Sequence, residues 1–352
     1  MAFFAIKNVE IRGVSACVPP LVDENASSYL MPPDEMQKVI ASIGVERKRI
    51  AERDVCTSDL CCKAAEVLLE RLCWKKEEVD ALVFVSQTAD FILPATSCIL
   101  QSRLGLSMEC YTLDISLGCS GWVYGLSAIS GLISSGGIRK ALLLVGDTTS
   151  KTTSEEDKSS WPLFGDAGTA TALEYKEGAL GFTFHMATDG SGWDAIVIPD
   201  GGYRNSFSDK TLVMEEHDPG VVQNRLHCRL DGMSVFSFAI TKAPKSIKTL
   251  LTRLDKKCSD VDYFVFHQAN FFLNETIRKK LKLTKEQVPY SLKDFGNTSC
   301  ASIPLTMVAD LRKDLSTRPL NLVGCGFGVG LSWGSVYFET ECIVCPELII
   351  YS

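Results

Sequence analysis

The chain repeats itself, and that repetition limits the folds open to it more than any other feature. In the first half, a glycine-rich turn at Gly118-Cys119-Ser120-Gly121 opens a helix of small residues over 123–134. An apolar strand, Ala141-Leu142-Leu143-Leu144-Val145, then ends in Gly146, and Gly165-Asp166-Ala167-Gly168 starts a last strand. In the second half, Gly296-Asn297-Thr298-Ser299 opens a helix over 301–311. Leu320-Asn321-Leu322-Val323 ends in Gly324, and Gly328-Val329-Gly330 starts a last strand that reaches Glu339. Short continuous apolar runs are the mark of strands buried on both faces, and strands alternating with helices across short loops build an α/β layer architecture. A duplicated βαβαβ unit follows. The halves divide as 1–180 and 181–352, with the boundary inside 176–202, where glycine, aspartate and polar residues cluster.

The remaining segments fit that frame. Alternation over 3–14 predicts one strand, 34–43 a helix that stops at Gly44, and 44–50 a basic loop. Helical spacing of Leu60, Ala64, Val67, Leu68 and Leu72 predicts a helix over 57–72 with Thr57 or Ser58 as N-cap. Strands are expected at 81–86, 111–116 and 140–146, and helices at 96–104 and 231–254. The stretch 201–230 is polar and weakly periodic, which predicts an excursion over the surface. A strand over 263–266 delivers His267.

Charge excludes one class of function. With 36 basic against 43 acidic residues and a net charge of −7, the chain lacks the basic surplus of a nucleic-acid binder. Several of the 14 cysteines sit in predicted apolar elements, as at Cys61, Cys62 and Cys73, and 2–6 is too short for a signal sequence, so a reducing, cytoplasmic setting is expected. Zinc spacing is approached only by Cys342-x-x-Cys345, which reads as strand, and no segment nears the ~20 apolar residues of a membrane span.

Cys119 stands where a strand gives way to a helix. A thiol attacks as thiolate, and the positive end of a helix lowers its pKa; unpaired N–H groups there, including that of Cys119, can hold an oxyanion. The other reading is a buried cysteine packed on a core helix. Of the four histidines, His267 alone has a suggestive setting, at the carboxyl end of a buried strand and followed by Gln268-Ala269-Asn270. Asn297 lies in a comparable place. Catalytic and ligand groups gather at such strand ends, although a core histidine and a turn asparagine fit the same pattern.

Cys119 in an Asp-Ile-x-x-x-Cys-x-Gly setting, His267-Gln268-Ala269-Asn270 and Gly296-Asn297-Thr298-Ser299-Cys300-Ala301-Ser302-Ile303-Pro304 occur in this order. Together they resemble the β-ketoacyl-acyl-carrier-protein synthase III family of the thiolase superfamily. The resemblance implies a thiolase-like five-layered αβαβα fold and a homodimer. It implies no metal and no resident cofactor, with acyl-CoA or acyl carrier protein entering as substrate. Cys119 is then the acyl-accepting nucleophile, and His267 and Asn297 hold the enolate left when a malonyl thioester loses CO₂. The backbone N–H groups of Cys119 and Val329 form the oxyanion hole. The glycines, alanines and serines of the helix after Cys119 let it lie against its counterpart.

The departures from the family matter too. Where priming members clamp the CoA adenine with Trp and Arg, this chain has Lys38 and Ser42; an arginine that meets the carrier protein is replaced by Phe272, and a lysine by Ser237. Leu93 stands where an aromatic often reaches the partner subunit's acyl pocket. These changes predict a specialised relative with a different starter or carrier, serving fatty-acid-like, polysaccharide-associated or secondary-metabolite synthesis. The cluster Arg278-Lys279-Lys280-Lys282 fits either an acidic carrier or a solvated helix face.

Three alternatives stay in view. The acyl-cysteine could pass its group to a hydroxyl or amine without C–C bond formation, a use for which Asn297 is not needed. A non-catalytic subunit would lack Cys119, and a thiolase would use Cys325 as a second cysteine.

Overall fold

The computed structural model describes residues 2–352. The run expected as one strand is two, β1 (Ala2–Ile6) and β2 (Val9–Val18), which join different sheets. Asn8 turns the chain between them at φ 64°, a conformation that asparagine tolerates better than most residues. β3 (Leu21–Glu24) and α1 (Pro33–Ile43) follow, and the basic stretch expected as a loop forms β4 (Arg47–Ile50). Its register explains why: Asp23 lies opposite Lys48 and Glu24 opposite Arg47, so unlike charges meet across the ladder, with Lys48 Nζ 2.6 Å from Asp23.

The first half continues through α2 (Thr57–Leu72), β5 (Ala81–Val85), α3 (Thr96–Leu104), β6 (Tyr111–Ile115), α4 (Gly121–Ile133), β7 (Lys140–Thr148) and β8 (Asp166–Tyr175). The second begins at β9 (Phe182–Thr188). It passes through the short strands β10 (Ile196–Val197), β11 (Glu215–Asp218), β12 (Val221–Gln223) and β13 (Arg229–Leu230) before α5 (Gly232–Arg253). Then come β14 (Tyr263–Phe266), α6 (Phe271–Leu281), α7 (Leu292–Phe295), α8 (Ser302–Thr317), β15 (Leu320–Gly328), β16 (Ser332–Thr340) and β17 (Ile349–Ile350).

Two large sheets form, in the orders β17-β2-β8-β7-β5-β6 and β1-β9-β16-β15-β14, beside the two-stranded pairs β3-β4, β10-β13 and β11-β12. Without the terminal strands, β2-β8-β7-β5-β6 and β9-β16-β15-β14 are the same succession, the second lacking its last edge strand. Each chain terminus crosses over: β1 completes the second sheet and β17 the first. Cys342 and Cys345, expected in a strand, lie beyond the end of β16 in the irregular segment that returns to β2. Among the described residues no helix is long and apolar enough to cross a membrane.

The helices α4 and α8 lie between the sheets. Trp122, Leu126, Ile129 and Ile133 of α4 and Ile303, Met307, Leu311 and Leu315 of α8 share one core with residues of both sheets. Burying each such side chain contributes about 1.5–3 kcal/mol. Gly125 of α4 serves the sheet rather than the partner helix: a Cβ there would stand 2.7 Å from Val85 and 2.8 Å from Leu143. α2 and α3 cover the outer face of the first sheet, α5 and α6 that of the second, which completes five layers.

Candidate active site

Duplication with the sheets back to back brings equivalent strand ends from both halves to one place. Cys119, His267, Asn297 and Val329 all line a single cavity of about 430 Å³, with Asp147, Ser299 and Asn270. Its walls include Ile196, Val197, Ile198, Leu230, Val235 and Phe236. Of these only Leu230 belongs to the segment 201–230 expected as a surface excursion, and Cys228 of that segment joins it in the wall. Residues 201–220 are largely exposed, but the C-terminal end of the excursion, with 196–198 just before it, folds back to wall the site. Nothing in their spacing announces this, because they line a cavity rather than one face of a regular element.

Cys119 follows β6 and precedes α4, whose N-cap is Ser120. The expected depression of its thiol pKa is reversed. Burial pushes it up to about 11, and the buried carboxylate of Asp147 adds to the rise, while the N–H groups of Val329 and Cys119 and the hydroxyl of Ser299 pull it down. The helix end is thus outweighed by desolvation, since a charged sulfur loses more by leaving water than a helix terminus returns. The same geometry sets two backbone N–H groups against the sulfur.

Two contacts hold those N–H groups. Gly328 lies so close that a Cβ there would stand 2.7 Å from Cys119 Sγ, so only glycine fits. Ser332 Oγ donates to the carbonyl of Val329 at 2.8 Å and is itself 2.7 Å from Ser120 Oγ, which ties the closing turn of the second half to the turn of Cys119.

His267 follows β14 and is buried, with Nδ1 2.8 Å from Ser302 Oγ and its ring edge-on to Phe327. Burial pulls its pKa down to about 3, so the imidazole is neutral at physiological pH. Asn297 is oriented by its surroundings: Ser299 N–H donates to Oδ1 at 2.9 Å and Nδ2 donates to the Ala269 carbonyl at 3.4 Å, which leaves the second Nδ2 hydrogen available. The backbone of Asn297 is gripped from the other half, its N–H donating to Leu163 and its carbonyl accepting from Gly165.

The remaining predicted positions lie outside the cavity lining. Lys38 and Ser42 are exposed on α1, Ser237 is exposed on α5, and Leu93 is 76% exposed before α3. Phe272 is exposed and stacks on the cavity residue Phe236 at 5.5 Å between ring centres. The basic cluster is partly structural. Arg278 pairs with Glu275 at 2.6 Å and donates to Leu283 O, and Lys280 Nζ donates at 3.0 Å to the Ile240 carbonyl, whose helical donor is replaced by Pro244. Cys325 is buried, its sulfur 3.3 Å from Ser335, and does not line the cavity.

Asp147 is the residue that sequence reading missed. Ser86 Oγ, Gln87 N–H, Thr88 Oγ1 and Cys300 Sγ all donate to it. It follows the apolar run of β7 as His267 follows that of β14, and that parallel was the available signal. Ser299 and Ser302 lie in a motif already singled out, and Cys228 is a second thiol in the cavity wall.

Two duplicated sheets around paired helices, with a thiol, a neutral imidazole and a carboxamide opening on one apolar cavity, define a thiolase-fold condensing enzyme. Family models for 3-oxoacyl-[acyl-carrier-protein] synthase III match residues 113–190, and for its C-terminal part residues 251–340. A putative 3-oxoacyl-[acyl-carrier-protein] synthase 3 of Campylobacter jejuni is 31% identical over 97% of both chains. A β-ketoacyl-[acyl-carrier-protein] synthase III of Pseudomonas aeruginosa is 36% identical over 86% of this chain and 87% of its own. The crystal structure of a 3-oxoacyl-(acyl-carrier protein) synthase from Burkholderia xenovorans superposes with a TM-score of 0.92 at 37% identity, covering 99% of this chain and 98% of that one. The chain belongs to the 3-oxoacyl-[acyl-carrier-protein] synthase III family.

Proposed function

We propose that Cys119 takes an acyl group from a thioester and that decarboxylative Claisen condensation joins it to a malonyl unit carried on acyl carrier protein. The thiol adds to the donor carbonyl, and the donor's thiol departs with the proton. Loss of CO₂ then leaves an electron pair on the malonyl carbon as an enolate, whose oxygen is held by Asn297 Nδ2–H and His267 Nε2–H. The enolate carbon attacks the acyl-Cys119 carbonyl, whose oxyanion meets the N–H groups of Cys119 and Val329. Collapse expels the cysteine thiolate, which regains a proton.

The observation that carries this reading is the orientation of Asn297. With Oδ1 turned to Ser299 N–H and one Nδ2 hydrogen on the Ala269 carbonyl, the carboxamide keeps a further Nδ2 hydrogen to donate, which suits an enolate and not a general base. The apolar walls fit a phosphopantetheine arm. Exposed Lys38 and Ser42, in place of an adenine clamp, favour a carrier-bound donor over CoA, and exposed Phe271, Phe272 and Met233 offer a carrier an apolar rim.

A cytoplasmic homodimer of two-half subunits, divided at 180, completes the proposal. β6 is an unpaired sheet edge beside exposed Phe91, Ile92 and Leu93, and a second copy would cover both, placing Leu93 at its neighbour's site. Light scattering should then give twice the 38.6 kDa chain mass.

Mass spectrometry of protein incubated with acyl-CoA and acyl-carrier thioesters tests the chemistry. An increment on Cys119 that discharges, with CO₂ release, onto malonyl-carrier protein is expected. Discharge onto a hydroxyl or amine without CO₂ would establish the acyl-transfer alternative instead.

A further inference from the structure

We propose that Ser302 is a positioning residue whose hydroxyl decides which imidazole nitrogen of His267 carries the proton. The inference rests on the reading of His267 as an enolate partner. A neutral imidazole has one N–H and one lone pair, so Nε2 can donate into the cavity only if Nδ1 accepts. The group at Nδ1 therefore sets the chemistry at Nε2.

Ser302 Oγ lies 2.8 Å from His267 Nδ1 and 2.8 Å from the carbonyl of Ser299. The hydroxyl has one hydrogen for these two neighbours. Turned to the carbonyl, it accepts from Nδ1–H, and Nε2 is left as a bare lone pair. Turned to Nδ1, it donates, and the imidazole proton resides on Nε2, the form that can hold an enolate oxygen. Both arrangements give the buried hydroxyl a hydrogen-bond partner.

The choice is coupled to the rest of the site through Ser299, a non-glycine residue held at φ 50°. Its N–H fixes Asn297, its hydroxyl donates towards the sulfur of Cys119, and its carbonyl is the alternative partner of Ser302. A residue kept in the left-handed region costs backbone energy, and here that conformation aims three polar groups at three different side chains. Ser302 is the first residue of α8, so its place beneath the imidazole is fixed by a rigid element.

The test separates two half-reactions. In Ser302→Ala the hydroxyl that can donate to Nδ1 is gone, while the Ser299 carbonyl, which takes a hydrogen bond from the imidazole, can only accept, so the Nδ1–H form is favoured. Release of CO₂ from a malonyl thioester should fall about 10²-fold, while acylation of Cys119 stays within about threefold. In ¹⁵N spectra of histidine-labelled protein, assigned by difference from His267→Gln, the variant should show only the Nδ1–H form. Ser302→Cys, which keeps a weak donor, should recover part of the loss, and it gives the same ratio if the alanine variant does not fold. An equal loss in both half-reactions, unchanged CO₂ release or an unchanged tautomer overturns the proposal. If His267→Gln itself leaves CO₂ release intact, the enolate reading falls first; if it abolishes release and Ser302→Ala does not, only the role of Ser302 is lost.

Discussion

The turn 116–120 before α4 and the turn 296–301 before α8 occupy equivalent positions in the two halves, yet each is held in a different way. The first is clamped from outside: Gly328 packs against Cys119, and Ser332 reaches Ser120, both from the second half. The second is organised largely from within, Ser299 bonding Asn297 and Ser302 bonding back to Ser299, while 163–165 grip its backbone and Cys300 Sγ reaches Asp147 and the Val85 carbonyl. The strand ends diverge as well. β14 delivers His267 into the cavity, while the equivalent end of β5 supplies Ser86 and Gln87 to hold Asp147. Duplication therefore fixes where reactive groups can stand, and the local bonding of each turn fixes what they do.

The strongest way to break this comparison is to exchange Cys119, the proposed nucleophile. Cys119→Ser should lower condensation by on the order of 10⁴-fold or more, measured as β-ketoacyl product per minute, because a serine there has no base to activate it. Removing the other turn's donor should act on one step only. Asn297→Ala is expected to cut CO₂ release from a malonyl thioester about 10²-fold or more while Cys119 still becomes acylated. Equal loss of both steps would show that the turns do not divide the work.

The two titrating groups sharpen the contrast. With the Cys119 thiol pushed up to about 11, only ~10⁻⁴ is thiolate at pH 7, so alkylation by iodoacetamide should rise about tenfold per pH unit up to pH 10. A plateau below pH 9 would contradict the burial argument. His267 runs the other way. Its folded pKa lies near 3, below the ordinary value of 6.5, so the native state resists protonation. Its contribution to stability is complete above about pH 6.5 and is lost as pH falls from there towards 3, and His267→Gln should flatten that part of the acid-denaturation curve. The smallest effect belongs to α1: Lys38→Ala should change acylation by a carrier-bound donor less than about twofold, and strong Lys38-dependent binding of acetyl-CoA would count against a carrier donor.

Much of the frame was legible because it is local. The helices 57–72 and 96–104 and the strand 263–266 follow from apolar patterning, although the first helix is capped by Cys56 and not by the expected Thr57 or Ser58, and the three candidate side chains stand next to glycine-rich turns or strand ends that mark themselves. The run 3–14 could not show its break, because one left-handed asparagine divides it without disturbing the alternation. The basic stretch 44–50 became a strand only because acidic partners lay across from it.

By itself the sequence determined the repeat, the order of elements and the identity of the sulfur, the imidazole and the carboxamide, since these depend on side-chain periodicity and on residue type. Only the tertiary structure decided the state of those groups. Whether the thiol is raised or lowered, whether the imidazole is neutral and which edge of Asn297 faces the cavity all depend on desolvation and on hydrogen bonds between residues far apart in the chain. Those energies come into being when the two halves close on each other, and no local pattern carries them.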